Sequence, residues 1–174
     1  MKTIPIKVEG LSVFPEGSNN NFATGDITLP NLTPLTSTVS GASILGEVDL
    51  PSQGHYGSLE VGIAWRTINK EAFDMVSPDF KGLEIRGAFS EFDNSRSSVV
   101  TRAIKVVVRG FSKSLDLGTL AQNATTGTTN TIEATYLKIF IDGQAVFELD
   151  KFNYICRING KDALLDVRKA LGLA

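Results

Sequence analysis

Residues 139–174, IFIDGQAVFELDKFNYICRINGKDALLDVRKALGLA, decide how this chain folds. Asp142-Gly143 stands between two alternating apolar runs, 131–141 and 144–149, and predicts a two-residue hairpin. A type I′ turn needs positive φ at both central residues, which Asp-Gly adopts at little steric cost. Past the hairpin, Leu164, Val167 and Leu171 fall on one stripe of a short C-terminal helix. Arg168 and Lys169 sit in its last turn and Gly172 at its C-cap, so the spacing predicts a capped helix within residues 160–172.

Upstream, 83–92 and 99–111 read as two long strands separated by the polar turn FDNSRSS. In places they are apolar on both faces, with Val106 and Val108 on one and Val107 and Phe111 on the other. A sheet with one wet face alternates more strictly. The second face therefore packs either under the chain's own helices or against another subunit in a closed ring. Leu59, Val61, Ile63 and Trp65 alternate with polar or small residues and form the cleanest strand, which makes Trp65 a core or interface residue rather than a sugar platform. Helical spacing follows at Ile68, Ala72, Phe73 and Val76, with Asn69 as N-cap and Pro78 as the stop.

Further strands are expected at 26–32, where Pro30 implies an edge or bulge, and at 44–50. Ile4, Ile6 and Val8 alternate as a strand or an extended arm, and 15–21 is a Gly/Asn-rich loop. The Ser/Thr/Gly-rich stretch 33–43 and the Thr/Asn/Gly stretch 119–131 read as loops with little to pack. The expectation is one domain over residues 1–174, all-β with two short helices: an antiparallel β-sandwich or barrel of about seven or eight strands.

The chain has 174 residues, 42% hydrophobic and 21% charged, enough for a core without staples. Its formal net charge of −2 argues against a nucleic-acid-binding surface, which needs a basic excess to displace counterions. No apolar run reaches the roughly 18–20 residues of a membrane helix. The start, MKTIPIKVEG, lacks the continuous apolar region of a signal peptide, and the two sequons at Asn31 and Asn123 therefore read as chance. Cys156 is the single cysteine, expected to be a buried small hydrophobe, and suits a reducing compartment.

Enzyme signatures are missing from the sequence. His55 is the single histidine, placed by Gly54, Tyr56 and Gly57 in a loop, and with one Cys it cannot complete an ordinary zinc site. Neither a nucleophile elbow nor a phosphate loop occurs. The pairs Glu47/Asp49 and Glu148/Asp150 share strand faces at i,i+2, a spacing that glycosidases use and that solvated strands produce routinely. No catalytic, metal-binding or cofactor residue is expected.

The order of the C-terminal block resembles the signature of the major tail tube proteins of contractile-tailed phages, shared with the tubes of R-type pyocins. In this sequence the matching positions are Tyr136, Lys138, Asp142, Gly143, Glu148, Asp150, Asn153, Ile158, Asn159, Gly160, Asp162, Arg168, Leu171, Gly172 and Leu173. A shorter match to the family's T-L-P-x-L strand lies at Ile27-Thr28-Leu29-Pro30-Asn31-Leu32. The resemblance covers both ends; between them only the order of strand, helix, strand, strand agrees.

What the resemblance implies is a structural protein that forms hexameric rings, whose sheets join into a ring-wide β-barrel and which stack into the inner tube of a contractile injection system. Its partners would be further copies of itself, the tail sheath, and baseplate and tail-terminator proteins, with no membrane anchor and with DNA passing through unbound. Assembly would take place in the host cytoplasm and end in the virion. The loop 33–43 would order against an adjacent ring. Strands 26–32 and 44–50 would line the bore, burying Ile27, Leu29, Val48 and Leu50 and presenting Asp26, Thr28, Glu47 and Asp49 to the lumen. Two other readings remain open: the tube of a phage-tail-like bacteriocin, and a monomeric β-sandwich module that binds carbohydrate or protein.

Overall fold

Backbone hydrogen bonding in the computed structural model, which describes residues 3–22 and 25–173, gives eleven strands and two short helices. The first half holds β1 (Thr3–Pro15), β2 (Ile27–Thr28), β3 (Pro34–Ser40), β4 (Glu47–Tyr56), β5 (Glu60–Trp65) and α1 (Lys70–Asp74). The second holds β6 (Leu83–Asp93), β7 (Ser98–Asp116), β8 (Thr128–Ile141), β9 (Gln144–Asp150), β10 (Ile155–Ile158), β11 (Lys161–Asp162) and α2 (Leu165–Ala170). The opening residues Met1 and Lys2, part of the leader reading, lie outside the described residues.

All pairings are antiparallel. The main sheet runs β1-β6-β7-β8-β9-β10-β11, and β8 forks it. One half of β8, Tyr136 to Ile141, pairs with β9, while the other, Thr128 to Glu133, pairs with β5, which in turn holds β2. The fork lets the β5 branch fold over the main sheet and enclose one core. Leu59, Val61, Ile63 and Trp65 of the β5 segment meet Leu83 and Ile85 of β6, Val106 and Val108 of β7, and Leu137 of β8 there. β3 and β4 stand apart as a two-stranded ribbon.

The all-β architecture with two short helices agrees with expectation, and so do its most local elements. Asp142 and Gly143 take φ of 49° and 79°, and Ile141 pairs Gln144 directly across the turn. The register of β5 buries all four expected apolar positions, Trp65 included, and Cys156 is buried as well.

Longer-range expectations needed correction. The stretch 33–43 is not a loop: Pro34–Ser40 is β3, and its partner β4 starts at Glu47, runs through Pro51 and Gly54 and ends at Tyr56. Both interruptions are tolerated because the ribbon has a free edge on each side and a register shift near its base. His55 is consequently an exposed strand residue and not a loop residue. Of 26–32, only Ile27 and Thr28 are strand.

The stretch 119–131 ends inside the core. Thr128 and Asn130 are fully buried, and β7 runs on to Asp116 to pair with Thr129. Burial of Asn130 works because both ends of its amide are used. Trp65 Nε1 donates to its Oδ1 at 2.7 Å, and its Nδ2 donates to the Ala72 carbonyl of α1 at 3.0 Å. Asn69 occupies the N-cap of α1, but its side chain accepts from Thr67 Oγ1 and leaves the helix uncapped.

The helix α2 departs most from its predicted role. Leu164 is buried, but Val167 and Leu171 are exposed and no residue within α2 is buried. A Schellman motif closes its end, with Gly172 at φ 70°, Gly172 N–H donating to Lys169 O and Leu173 N–H to Arg168 O.

Candidate assembly surfaces

Three regions concentrate chemistry or exposed apolar surface, and the first is an ion-paired seam across the C-terminal block. Glu148 on β9 is almost buried and accepts hydrogen bonds from Tyr136 Oη (3.0 Å), Lys138 Nζ (3.3 Å) and Arg157 Nη1 (3.3 Å). The antiparallel register sets this up by placing Lys138 and Arg157 directly opposite Glu148 on either side. Burial pushes the Glu148 carboxyl up, but the hydrogen bonds from Tyr136 and Lys138 and the charges of Lys138 and Arg157 outweigh it, leaving it below its ordinary value. Burial, then the bond to Glu148, raises the Tyr136 phenol to about 12.

Asp162 continues the seam. Arg168 grips it with two contacts, Nη2 to Oδ2 at 2.6 Å and Nη1 to Oδ1 at 3.2 Å, and also donates to the Tyr154 carbonyl at 2.8 Å. The Arg168 hydrogen bond lowers the Asp162 carboxyl to about 2, despite some burial, with Leu164 N–H and Arg157 assisting. This clamp, rather than an apolar stripe, anchors α2.

The remaining predicted motif residues prove to be fasteners too. Asp150 accepts from the backbone of Phe152 and Asn153 and from Asn153 Nδ2, closing the turn after β9. Asp142 accepts from Arg102 Nε at 2.6 Å and from Ala103 N–H, which ties the hairpin back to β7. Asn159 and Gly160, at φ 48° and 80°, form a second two-residue hairpin with Ile158 opposite Lys161. Sequence reasoning overlooked Arg102 and Arg157, because each partner becomes adjacent only through strand pairing. Of the two carboxylate pairs, Glu148 is committed to Tyr136, Lys138 and Arg157 and Asp49 accepts from Thr38 Oγ1, and among the described residues no group of three or more His, Cys, Asp and Glu could hold a metal ion.

The β3–β4 ribbon is the second region, here called the arm. Its cross-strand pairs Ser37–Leu50 and Val39–Val48 share one face, while Thr38–Asp49 and Ser40–Glu47 share the other. Along β3 every residue is exposed, Val48 and Leu50 are about half exposed at 45% and 50%, and Leu45 at the tip is fully so. Of the expected bore residues, Asp26 and Thr28 flank or lie on β2, and Glu47 and Asp49 lie on the arm's polar face; all four are exposed. The structure does not bring these two pairs into one sheet, and of the expected apolar backing only Ile27 is sheltered.

An apolar groove on the main sheet is the third region. Here β6 and β7 outrun the β5 branch, so the face that is core at Ile85 and Val106 lies open at Phe89 and Ile104. Ile6, Val8 and Leu11 of β1 wall it, each about half exposed.

The exposed apolar surface of the arm and the groove points to assembly, and comparison with known proteins gives the same direction. A family profile described as phage tail tube protein FII matches residues 5–172. The chain belongs to the phage tail tube family. It is 28% identical to the tail tube protein of Escherichia phage P2, over 98% of this chain and 99% of that protein. It is also 28% identical to the major tail tube protein of Serratia phage KSP20, over 98% of each. In this tube family member the block resembling the family signature is thus a set of turns and ion pairs that builds the subunit's C-terminal edge.

Proposed function

We propose that this chain is the repeating subunit of the inner tube of a contractile phage tail. Subunits form hexameric rings whose sheets join into a ring-wide β-barrel, and rings stack around a channel that carries DNA into the host. The sheath surrounds the tube, with baseplate and tail-terminator proteins at its ends, and assembly takes place in the host cytoplasm. One observation carries the self-assembly: the subunit exposes 11224 Å². A folded monomer of 18.7 kDa exposes about 8,300 Å² on the usual mass scaling. The difference, about 2,900 Å², exceeds several-fold the roughly 800 Å² each partner gives to a standard interface.

Asp26, Thr28, Glu47 and Asp49 are assigned to the lumen in this reading. An acidic, water-filled bore lets DNA pass, whereas a basic lining would hold it by counterion release. Purified protein examined by size exclusion and negative-stain microscopy gives rings or tubes of uniform diameter; a lone 18.7 kDa particle at all concentrations overturns the proposal. Glu47→Lys with Asp49→Lys keeps the tubes and slows DNA delivery in a salt-dependent manner, and unchanged delivery removes these two from the bore.

A further inference from the structure

We infer that Leu164 is a positioning residue for the arm: its side chain is the seat on which a hinge at residues 52–55 rests, and it sets the angle at which β3 and β4 leave the domain. This concerns the subunit alone, whatever it assembles into.

The arm joins the domain through a break in its own ladder. Pairing jumps from Thr36–Pro51 to Pro34–Tyr56, so Leu35 alone faces Ser52, Gln53, Gly54 and His55. Surplus residues on one strand interrupt the ladder and bend it. On the domain side of the break the chain is firmly held. Gly57 N–H donates to the Thr33 carbonyl at 3.0 Å, and the Tyr56 ring meets Phe147 edge-on with centroids 5.8 Å apart. On the far side the ribbon continues from Thr36 to Ser40 and its turn with every β3 residue exposed. Ladder hydrogen bonds stop at the break, so a side-chain contact has to fix the direction of what lies beyond it.

That contact is Gly54 against Leu164. Gly54 takes φ 70°, and a Cβ on it would stand 2.5 Å from Leu164 Cδ1 and 2.7 Å from its Cγ. Carbon atoms rest at about 3.5–4.0 Å from each other, so the missing methyl is what lets the backbone come down onto the leucine. A cleft of about 190 Å³ between His55, Asp150, Lys151 and Tyr154 adjoins the contact. The hinge therefore has room to swing, and general crowding is not what holds it.

The seat is itself immobilised. Leu164 is buried, while no residue within α2 is. Its N–H donates to Asp162 Oδ1 at 3.0 Å and its carbonyl accepts from Arg168 N–H at 2.9 Å. The preceding Ala163 N–H donates to the Cys156 carbonyl at 2.8 Å. The Arg168–Asp162 clamp closes over this arrangement from outside. A helix that buries nothing of its own thus pins the one side chain on which the arm rests. Copies that assemble by symmetry must present the same surface at the same angle, and a seated hinge supplies one.

Double electron–electron resonance reads the angle as a distance. In a Cys156→Ala background, spin labels at Ser40→Cys on the arm and Thr101→Cys on β7 define one intramolecular separation. Labelled subunits diluted into unlabelled protein report it whether free or assembled. The parent should give a single narrow peak, and Leu164→Ala should lose it. Gly54→Ala pushes the hinge off the leucine and should shift the mean by at least the roughly 1 Å that the new methyl needs. Combining the two gives that methyl the space the leucine leaves, and should bring mean and width back toward the parent values. A broad parent distribution, or an unchanged one in either single variant, overturns the inference, as does a double variant no nearer the parent than its components.

Should Leu164→Ala fail to fold, Arg168→Gln loosens the seat without touching the core and should broaden the same distribution. Val167→Gln, at an exposed position of the same helix, should leave it narrow. Equal distributions for these two variants overturn the inference.

Discussion

Residues 33–43 and 119–131 are both short on large apolar residues, the first rich in Ser and Thr and the second in Thr and Asn, and they have opposite fates. The second delivers Thr128 and Asn130 into the core, while the first becomes the fully exposed β3 of the arm. Partners make the difference. Asn130 finds a buried indole N–H and a buried carbonyl, and Thr128 Oγ1 donates to the Leu117 carbonyl at 3.0 Å. A polar side chain is at home inside when each polar atom is met. The arm shows the converse, since Val39, Val48 and Leu50 stay outside because no surface of their own chain faces them. Polarity sets the terms of burial, and only tertiary pairing decides which stretch meets them.

The largest test of that contrast is Asn130→Ala. It strands the Trp65 N–H and the Ala72 carbonyl in the core and opens a cavity, so chemical denaturation should show a loss of about 2–5 kcal/mol. A cost under about 0.5 kcal/mol, ordinary for a surface change, would place Asn130 with the arm and dissolve the distinction.

An intermediate case is α2, which is neither buried nor free. Asp162 titrates near 2 in the folded protein against an ordinary 3.8. A depressed folded pKa stabilises above the ordinary value and loses that contribution as pH falls through the folded one. Glu148 is shifted the same way. Stability should therefore drop as pH falls from about 4 toward 2, the window set by Asp162. In Asp162→Asn the drop over that window should shrink and stability at neutral pH should be lower; thermal melts across the range check it, and an unchanged acid profile argues against the clamp.

The smallest effect on the subunit, and the sharpest on assembly, comes from the arm. Replacing residues 35–50 with a two-residue turn should move monomer stability by no more than about 0.5 kcal/mol, the range of surface changes. The same protein should form no tubes by negative stain. Normal tubes from it would show that the arm is decoration.

What the sequence disclosed follows the range of the forces involved. Asp142-Gly143 and β5 were legible because a turn and an alternation are complete within a few residues. Asn159-Gly160 carried the same hairpin signal and could have been found. The full length of β7 was hidden by the register shift between Ser112 and Ser114, where the extra residue Lys113 breaks its period of two. The stripe Leu164, Val167, Leu171 suggested burial, but spacing on a helix says nothing about whether a neighbour is present. The ion-paired seam needed strand register to become visible, and the arm needed the absence of a neighbour.

The arm and the groove also come into being at different times. The arm is local, since Ser40 and Glu47 face each other across six residues, so it can zip as soon as it is synthesised. The groove must wait for β1 to find β6, with Thr3 pairing Asp93, and for β7 to follow. Non-local pairings close slowly, because loop entropy is lost before contacts reward it. In the nascent chain the arm is therefore complete while the sheet that walls the groove still awaits its long-range partners.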